Sequence, residues 1–163
     1  MVEEKRPKVG LISSHGGHLA ELLELAPALE GYDTFYFCYD AETTRRLPNA
    51  YLVPNRPYNP IHVLRNYFRL WVIFNVEKPD FILSTGAEIA IPAFILAKIR
   101  RIPTLYIECG AQVTTPSMTG RLLVHIADSF FVQWPELKKR YGNRASYRGS
   151  LVDETVPGDL HSS

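Results

Sequence analysis

Sulfur, net charge and long apolar runs are all scarce in this chain, and each scarcity removes a class of protein. Cys38 and Cys109 are the two cysteines among 163 residues. They form neither a disulfide framework nor the paired spacing of a zinc site, so reduced thiols are expected. Lys plus Arg number 18 and Asp plus Glu 17, a formal net charge of +1. No overall field draws such a chain to nucleic acid. No apolar run reaches the ~20 residues that a spanning helix needs. Met1 to Lys8 is charged and enters a strand directly, without the apolar centre of a signal peptide. The expectation is a cytoplasmic chain, with membrane contact at most peripheral.

What is present suffices for one domain. Hydrophobic residues make up 46% of the chain, close to the norm for folded domains and enough for a core. Short apolar runs alternate with amphipathic stretches. Strands are expected at Lys8–Ser13, Thr34–Tyr39, Ala50–Val53, Phe81–Ser84, Thr104–Glu108, Asp128–Gln133 and Ala145–Arg148. Helices are expected at His18–Leu29, Ala41–Leu47, Ile61–Glu77, Ile89–Ile99, Thr119–Ala127 and Pro135–Tyr141. The prolines of Pro54–Pro60 exclude regular structure there. This alternation predicts an α/β fold, a Rossmann-like parallel sheet with helices on both faces. The domain is expected to span residues 1–152, with 153–163 a polar, flexible tail. There is no internal repeat and no low-complexity stretch.

Parallel sheets bind ligands at the C-terminal ends of their strands, so the loops at that edge matter most. Ser14-His15-Gly16-Gly17-His18 joins the first strand to a helix. Paired glycines let a ligand approach the backbone, and a helix start favours phosphate. A tight turn with a histidine beside it explains the same residues equally well. His15 and His18 have no sulfur or acidic residue at ligand spacing, so no metal is expected. No cofactor fingerprint stands out either. Thr85 and Gly86 close the strand Phe81–Ser84. Ser84 and Thr85 suit a helix cap, and Gly86 admits either a ligand or a neighbouring loop. Glu108 is expected at a strand tip. There it either takes a proton from an attacking hydroxyl or staples the following loop. Cys109 lacks an activating base and is not expected to be a nucleophile.

The helix Ile61–Glu77 carries two apolar stripes. One comprises Ile61, Leu64, Phe68 and Val72; the other comprises Val63, Tyr67, Leu70 and Phe74. One stripe packs on the sheet, and the other needs protein or lipid. Aromatics beside arginines suit a bilayer interface, so Arg65, Tyr67, Arg69, Leu70 and Phe74 are the expected membrane contacts.

The order of residues resembles one family. Ile107-Glu108 is followed by Ala111, Thr115, Ser117 and Thr119-Gly120-Arg121-Leu122-Leu123. Ala127-Asp128-Ser129-Phe130-Phe131-Val132-Gln133-Trp134-Pro135-Glu136-Leu137 comes next, and Val132–Pro135 is its most specific part. Ser13–His18, Pro79–Gly86 and Tyr147–Leu151 fit too, so the likeness runs over about residues 8–152. The family contains the acceptor-binding, membrane-anchor subunit of the split UDP-N-acetylglucosamine transferase, together with similar bacterial exopolysaccharide subunits. The resemblance implies the N-terminal half of a GT-B glycosyltransferase, a separate nucleotide-sugar-binding partner subunit and a polyprenyl-linked acceptor. It implies Glu108 as catalytic base or acceptor-positioning residue, and His18 with Gly16-Gly17 against the acceptor or its pyrophosphate. Two departures stand out. The N-terminal anchor of eukaryotic members does not show here, which points to a prokaryotic source. Gln112 stands where relatives often carry arginine, which weakens the case for a phosphate contact at that position. The alternative is a non-catalytic scaffold that recruits and activates a partner transferase.

Overall fold

The structure, a computed structural model, describes residues 6–56 and 59–151. Seven strands form one parallel sheet: β1 Lys8–Ser13, β2 Asp33–Tyr39, β3 Ala50–Val53, β4 Phe81–Ser84, β5 Thr104–Ile107, β6 Ser129–Val132 and β7 Ser146–Tyr147. Their order across the sheet is β3-β2-β1-β4-β5-β6-β7. The helices are α1 Gly17–Leu23, α2 Pro60–Glu77, α3 Ala90–Arg100, α4 Met118–Leu123 and α5 Pro135–Tyr141. The expected α/β sheet is therefore present, and each expected strand lies within a residue or two of its place. The tail 153–163 falls outside the described residues, as do Pro57 and Tyr58 in the proline-rich loop.

The two faces of the sheet are covered unequally. Alternate strand residues, Phe35, Phe37, Ile82, Tyr106 and Phe130, meet α2, α3, α4 and α5 in the larger core. The opposite set, Val9, Leu11, Tyr36, Cys38 and Leu83, packs under Leu22 of α1. Leu25 and Leu29, in and beside a 3-10 turn at Ala26–Leu29, extend that cover. Beyond them an apolar trough of about 570 Å³ runs over Leu83, Leu105, Ile107 and Phe131. Gly10 keeps β1 thin at the centre of the sheet. A Cβ there would stand 2.7 Å from both Ile82 Cδ1 and Phe35 Cζ.

Three helices depart from expectation. The helix expected over His18–Leu29 stops at Leu23. Pro27 has no N–H to give the Leu23 carbonyl, and the chain tightens into a 3-10 turn. The helix expected over Thr119–Ala127 ends at Leu123, where His125 and Ile126 donate three residues back, to Leu122 and Leu123. Between Ala41 and Leu47 there is a 3-10 turn, Thr44–Arg46. The Thr44 hydroxyl accepts from Ala41 N–H at 2.9 Å there.

α2 starts as its sequence dictates: Asn59 Oδ1 accepts from the N–H of Ile61 at 3.0 Å, and Pro60 occupies the first turn. Its stripes are the reverse of the expected membrane assignment. Leu70 and Phe74 are 0% and 1% exposed and lie in the larger core. Tyr67 is half-buried against the same core. Leu70 and Phe74 are not available as membrane contacts in this fold. Arg65 remains exposed and Arg69 half-buried. The outward row is Ile61, Leu64, Phe68 and Val72, 57–68% exposed. Arg100 of α3 stacks over Trp71 at 4.3 Å beside it. Sequence periodicity found both stripes but could not say which met the sheet. No helix among the described residues is long and apolar enough to cross a membrane.

Candidate functional site

A reversal of direction across the sheet creates the site. The chain steps from β1 to β2 to β3, α2 carries it back, and β4 pairs with the free side of β1. The loops leaving β1 and β4 diverge, and the crevice between them is the usual ligand position in such sheets. A cleft of about 480 Å³ opens there. Its walls include Ser14 and His18 after β1, Tyr39 at the end of β2, Asn55 after β3, and Ala87 and Glu88 after β4. Cys109, Gln112, Ser117, Met118 and Thr119 complete it. Among the described residues no lysine or arginine lines it. A cleft of hydroxyls and amides suits uncharged sugar hydroxyls better than a pyrophosphate.

The two central loops are laced together. Thr85 Oγ1 donates to the carbonyl of His18 at 2.6 Å. His18 Nδ1 lies 3.2 Å from the carbonyl of Thr85. A carbonyl only accepts, so Nδ1 carries the proton in that bond. The imidazole rests on Gly86, where any Cβ would overlap it. Gly86 thus admits a neighbouring loop. Ser84 does not cap α3 as expected; its Oγ accepts from Gly86 N–H at 3.2 Å. Ser14 lines the cleft and donates to the carbonyl of His15 at 3.1 Å. His15 itself is exposed and does not line it. Gly16 and Gly17 face open space, with nothing within 4 Å of an added Cβ.

Glu108 follows β5 directly, at the expected strand tip, but it does not face the cleft. It is 0% exposed. Oε2 accepts from the Tyr141 hydroxyl of α5 and sits against Gly120 of α4. Burial, then the neighbouring Glu108, push the Tyr141 phenol well above its usual range. The carboxylate is therefore buried and is not part of the cleft lining, unlike the expected base facing the cleft. Nor does its side chain staple the loop after β5.

Glu21 of α1 holds that loop. It is 8% exposed, and its Oε1 accepts from Gly110 N–H at 2.9 Å and Cys109 Sγ at 3.3 Å. Its Oε2 accepts from Gln133 Nε2 at 2.9 Å. Gln133 Nε2 also donates to the carbonyl of Glu108, while its Oε1 accepts from Leu151 N–H at 2.7 Å. Trp134 Nε1 donates to the carbonyl of Gly110 at 2.6 Å. The Gln133-Trp134 pair, the most specific part of the sequence motif, is thus a clamp on the cleft wall. Burial pushes the Cys109 thiol up to about 11, so it is no ready nucleophile. Cys38, at 0% exposed beneath α1, is pushed up to about 12, also by burial.

Glu88 was passed over in the sequence, although it ends the loop that holds Thr85 and Gly86. It is the carboxylate that lines the cleft. Tyr39 donates to its Oε1 at 2.5 Å. Only the parallel register of β2, β1 and β4 brings residues 39 and 88 together, and no local pattern reveals that.

The fold and cleft define a class: a Rossmann-like domain with the GT-B fold and an open crevice at the switch point. The solved structure of Acinetobacter baumannii MurG shares this fold, with a TM-score of 0.71 and 18% identity, over 86% of this chain and 45% of that one. The chain belongs to the family of oligosaccharide biosynthesis proteins described as Alg14 like, whose pattern matches residues 59–151. The UDP-N-acetylglucosamine transferase subunit ALG14 of Homo sapiens is 28% identical over 73% of this chain and 55% of its own length. A UDP-N-acetylglucosamine–N-acetylmuramyl-(pentapeptide) pyrophosphoryl-undecaprenol N-acetylglucosamine transferase of Staphylococcus saprophyticus is 29% identical over 89% of this chain and 46% of its own length. The chain thus spans about half the length of these two relatives.

Proposed function

We propose that this chain is the acceptor-binding subunit of a two-component glycosyltransferase. A separate subunit would hold a UDP-sugar, such as UDP-N-acetylglucosamine, UDP-glucose or UDP-glucuronate. The sugar would pass to a polyprenyl-pyrophosphate-linked saccharide at the cytoplasmic face of the membrane. One observation carries the reading. An open, hydroxyl-rich cleft, lined by no lysine or arginine among the described residues, lies at the switch point of a sheet that corresponds to about half of a related transferase. Half of a two-lobed enzyme presents one wall of its active site and needs the other. Ser14, His18 and the Gly16-Gly17 backbone would meet the acceptor. With no cleft cation among the described residues, the pyrophosphate would lie against the partner or in solvent at the rim. The outward row of α2, with Arg65 at its side, would rest on the bilayer.

The burial of Glu108 favours a second reading, in which the chain only recruits and activates its partner. Both readings are tested by co-expressing the chain with its nucleotide-sugar-binding partner. Transfer from labelled UDP-sugars to a polyprenyl-pyrophosphate-linked saccharide is then measured. The pair should transfer sugar and the chain alone should not. Transfer by the chain alone would refute the two-component reading, and an inert pair would refute the functional assignment.

A further inference from the structure

We propose that Glu88, clasped by Tyr39, is the proton acceptor that this chain supplies to sugar transfer. The proposal rests on the reading of the chain as an acceptor-binding subunit. Its ground is the cleft itself. Glu88 is the carboxylate among the lining residues, half-buried and open to an incoming hydroxyl. Of the other acidic residues near this strand edge, Glu108 is sealed under α4 and α5, Glu21 is buried and holds Gly110 and Gln133, and Asp40 is paired with Arg45.

The local backbone is built to present Glu88. Gly86 has φ +139° and Ala87 has φ +71°. A non-glycine residue in that region is strained, and such strain persists where the surroundings impose it, often at functional sites. Gly86 and Ala87, two consecutive residues with positive φ of which Ala87 is the strained one, turn the chain sharply between the end of β4 and α3. Glu88 stands at the exit of that turn. The His18 imidazole packed over Gly86 holds the turn from one side. The 2.5 Å bond from Tyr39 Oη fixes Glu88 Oε1 from the other. Among the described residues Oε2 has no protein partner, and it is the atom assigned to the acceptor hydroxyl.

The chemistry balances without a metal or redox partner. The acceptor hydroxyl oxygen bonds to the anomeric carbon of a nucleoside-diphosphate sugar. The bond from that carbon to the diphosphate oxygen breaks, and the diphosphate leaves with the electron pair. The hydroxyl proton passes to Glu88 Oε2, which returns it to water through the open cleft. His18 is the other base in the cleft. Its Nδ1–H donates to the Thr85 carbonyl and its ring props the Gly86 turn, so it also positions the loop that presents Glu88.

The test uses the chain assembled with its partner and assayed with UDP-sugars and a polyprenyl-pyrophosphate-linked saccharide. Glu88→Gln keeps the shape and still accepts from Tyr39, but removes the basicity. Its kcat should fall by about 10²- to 10⁴-fold, with KM and melting temperature near wild type. Glu88→Asp should recover part of the loss. Tyr39→Phe should lower kcat by a smaller factor. Wild-type kcat in Glu88→Gln, beside an active wild-type pair, would overturn the assignment alone. So would a loss in Glu88→Gln that follows its melting temperature, or one that Glu88→Asp does not relieve. An inert wild-type pair would instead remove the functional reading beneath it.

Discussion

At Gly120 a single missing Cβ makes room for a buried carboxylate. Any side chain there would overlap Glu108 and the Tyr141 hydroxyl. Gly120→Ala is expected to cost about 1–3 kcal/mol by overpacking. Tyr141→Phe removes the hydrogen-bond partner of Glu108 Oε2. Leaving a buried polar group unpaired costs about 1–3 kcal/mol, and more when it is charged. In a domain of this size that lowers the melting temperature by roughly 2–4 °C per kcal/mol. Thermal melts of both variants check this, and an unchanged Tyr141→Phe melt would refute the structural role of the pair. At this scale the sequence was half legible. Position in the chain placed Glu108 at a strand tip, and the structure agrees. The direction of its side chain was not legible, because it depends on α4 and α5, whose packing no local pattern encodes. The same limit hid Glu21 and Glu88, whose partners lie 89 and 49 residues away.

α2 shows what periodicity gives and withholds. Its start, length and two apolar stripes were readable from spacing and from Asn59-Pro60. The choice of inward stripe was not, since both are aromatic and aliphatic. Phe74→Ser is expected to cost about 3–5 kcal/mol, as loss of a buried aromatic does. Leu64→Ser with Phe68→Ser should leave the melting temperature nearly unchanged but abolish co-sedimentation with anionic liposomes. Retained sedimentation of that folded double variant would refute the outward row as the membrane contact. At the C-terminal end of the same helix, Glu77 accepts from Lys8 of β1 at 2.8 Å and Tyr51 of β3 at 2.5 Å. Partial burial raises its pKa, but the Lys8 and Tyr51 hydrogen bonds and the Lys8 charge outweigh it, and the net shift is downward. A carboxylate lowered on folding adds stability above its unfolded value. That stability disappears as the pH falls through the folded one. Melts below the ordinary glutamate range should therefore drop more steeply for the wild type than for Glu77→Gln. Parallel slopes would show that Glu77 does not couple folding to protons.

Across the whole molecule, strand–helix alternation was enough for a parallel α/β sheet. It was not enough for the strand order that puts β1 beside β4 and so makes the crevice. Nor did it show that one face takes four helices and the other a single short one. The two thiols sit on opposite sides of that difference in depth. Cys38 lies in the sheet under α1, and Cys109 in a cleft wall, 0% and 9% exposed. Both resist alkylation while the fold is closed, for burial and a raised pKa each suppress the thiolate. Their labelling rates are consequently two clocks in one chain. Cys109 should react when the Glu21–Gln133 clamp loosens, and Cys38 only when the sheet itself comes apart. Mass spectrometry after timed iodoacetamide treatment should find Cys109 modified first, and Glu21→Gln should accelerate that thiol alone. Equal rates at the two cysteines would mean that the clamp opens no sooner than the whole domain unfolds.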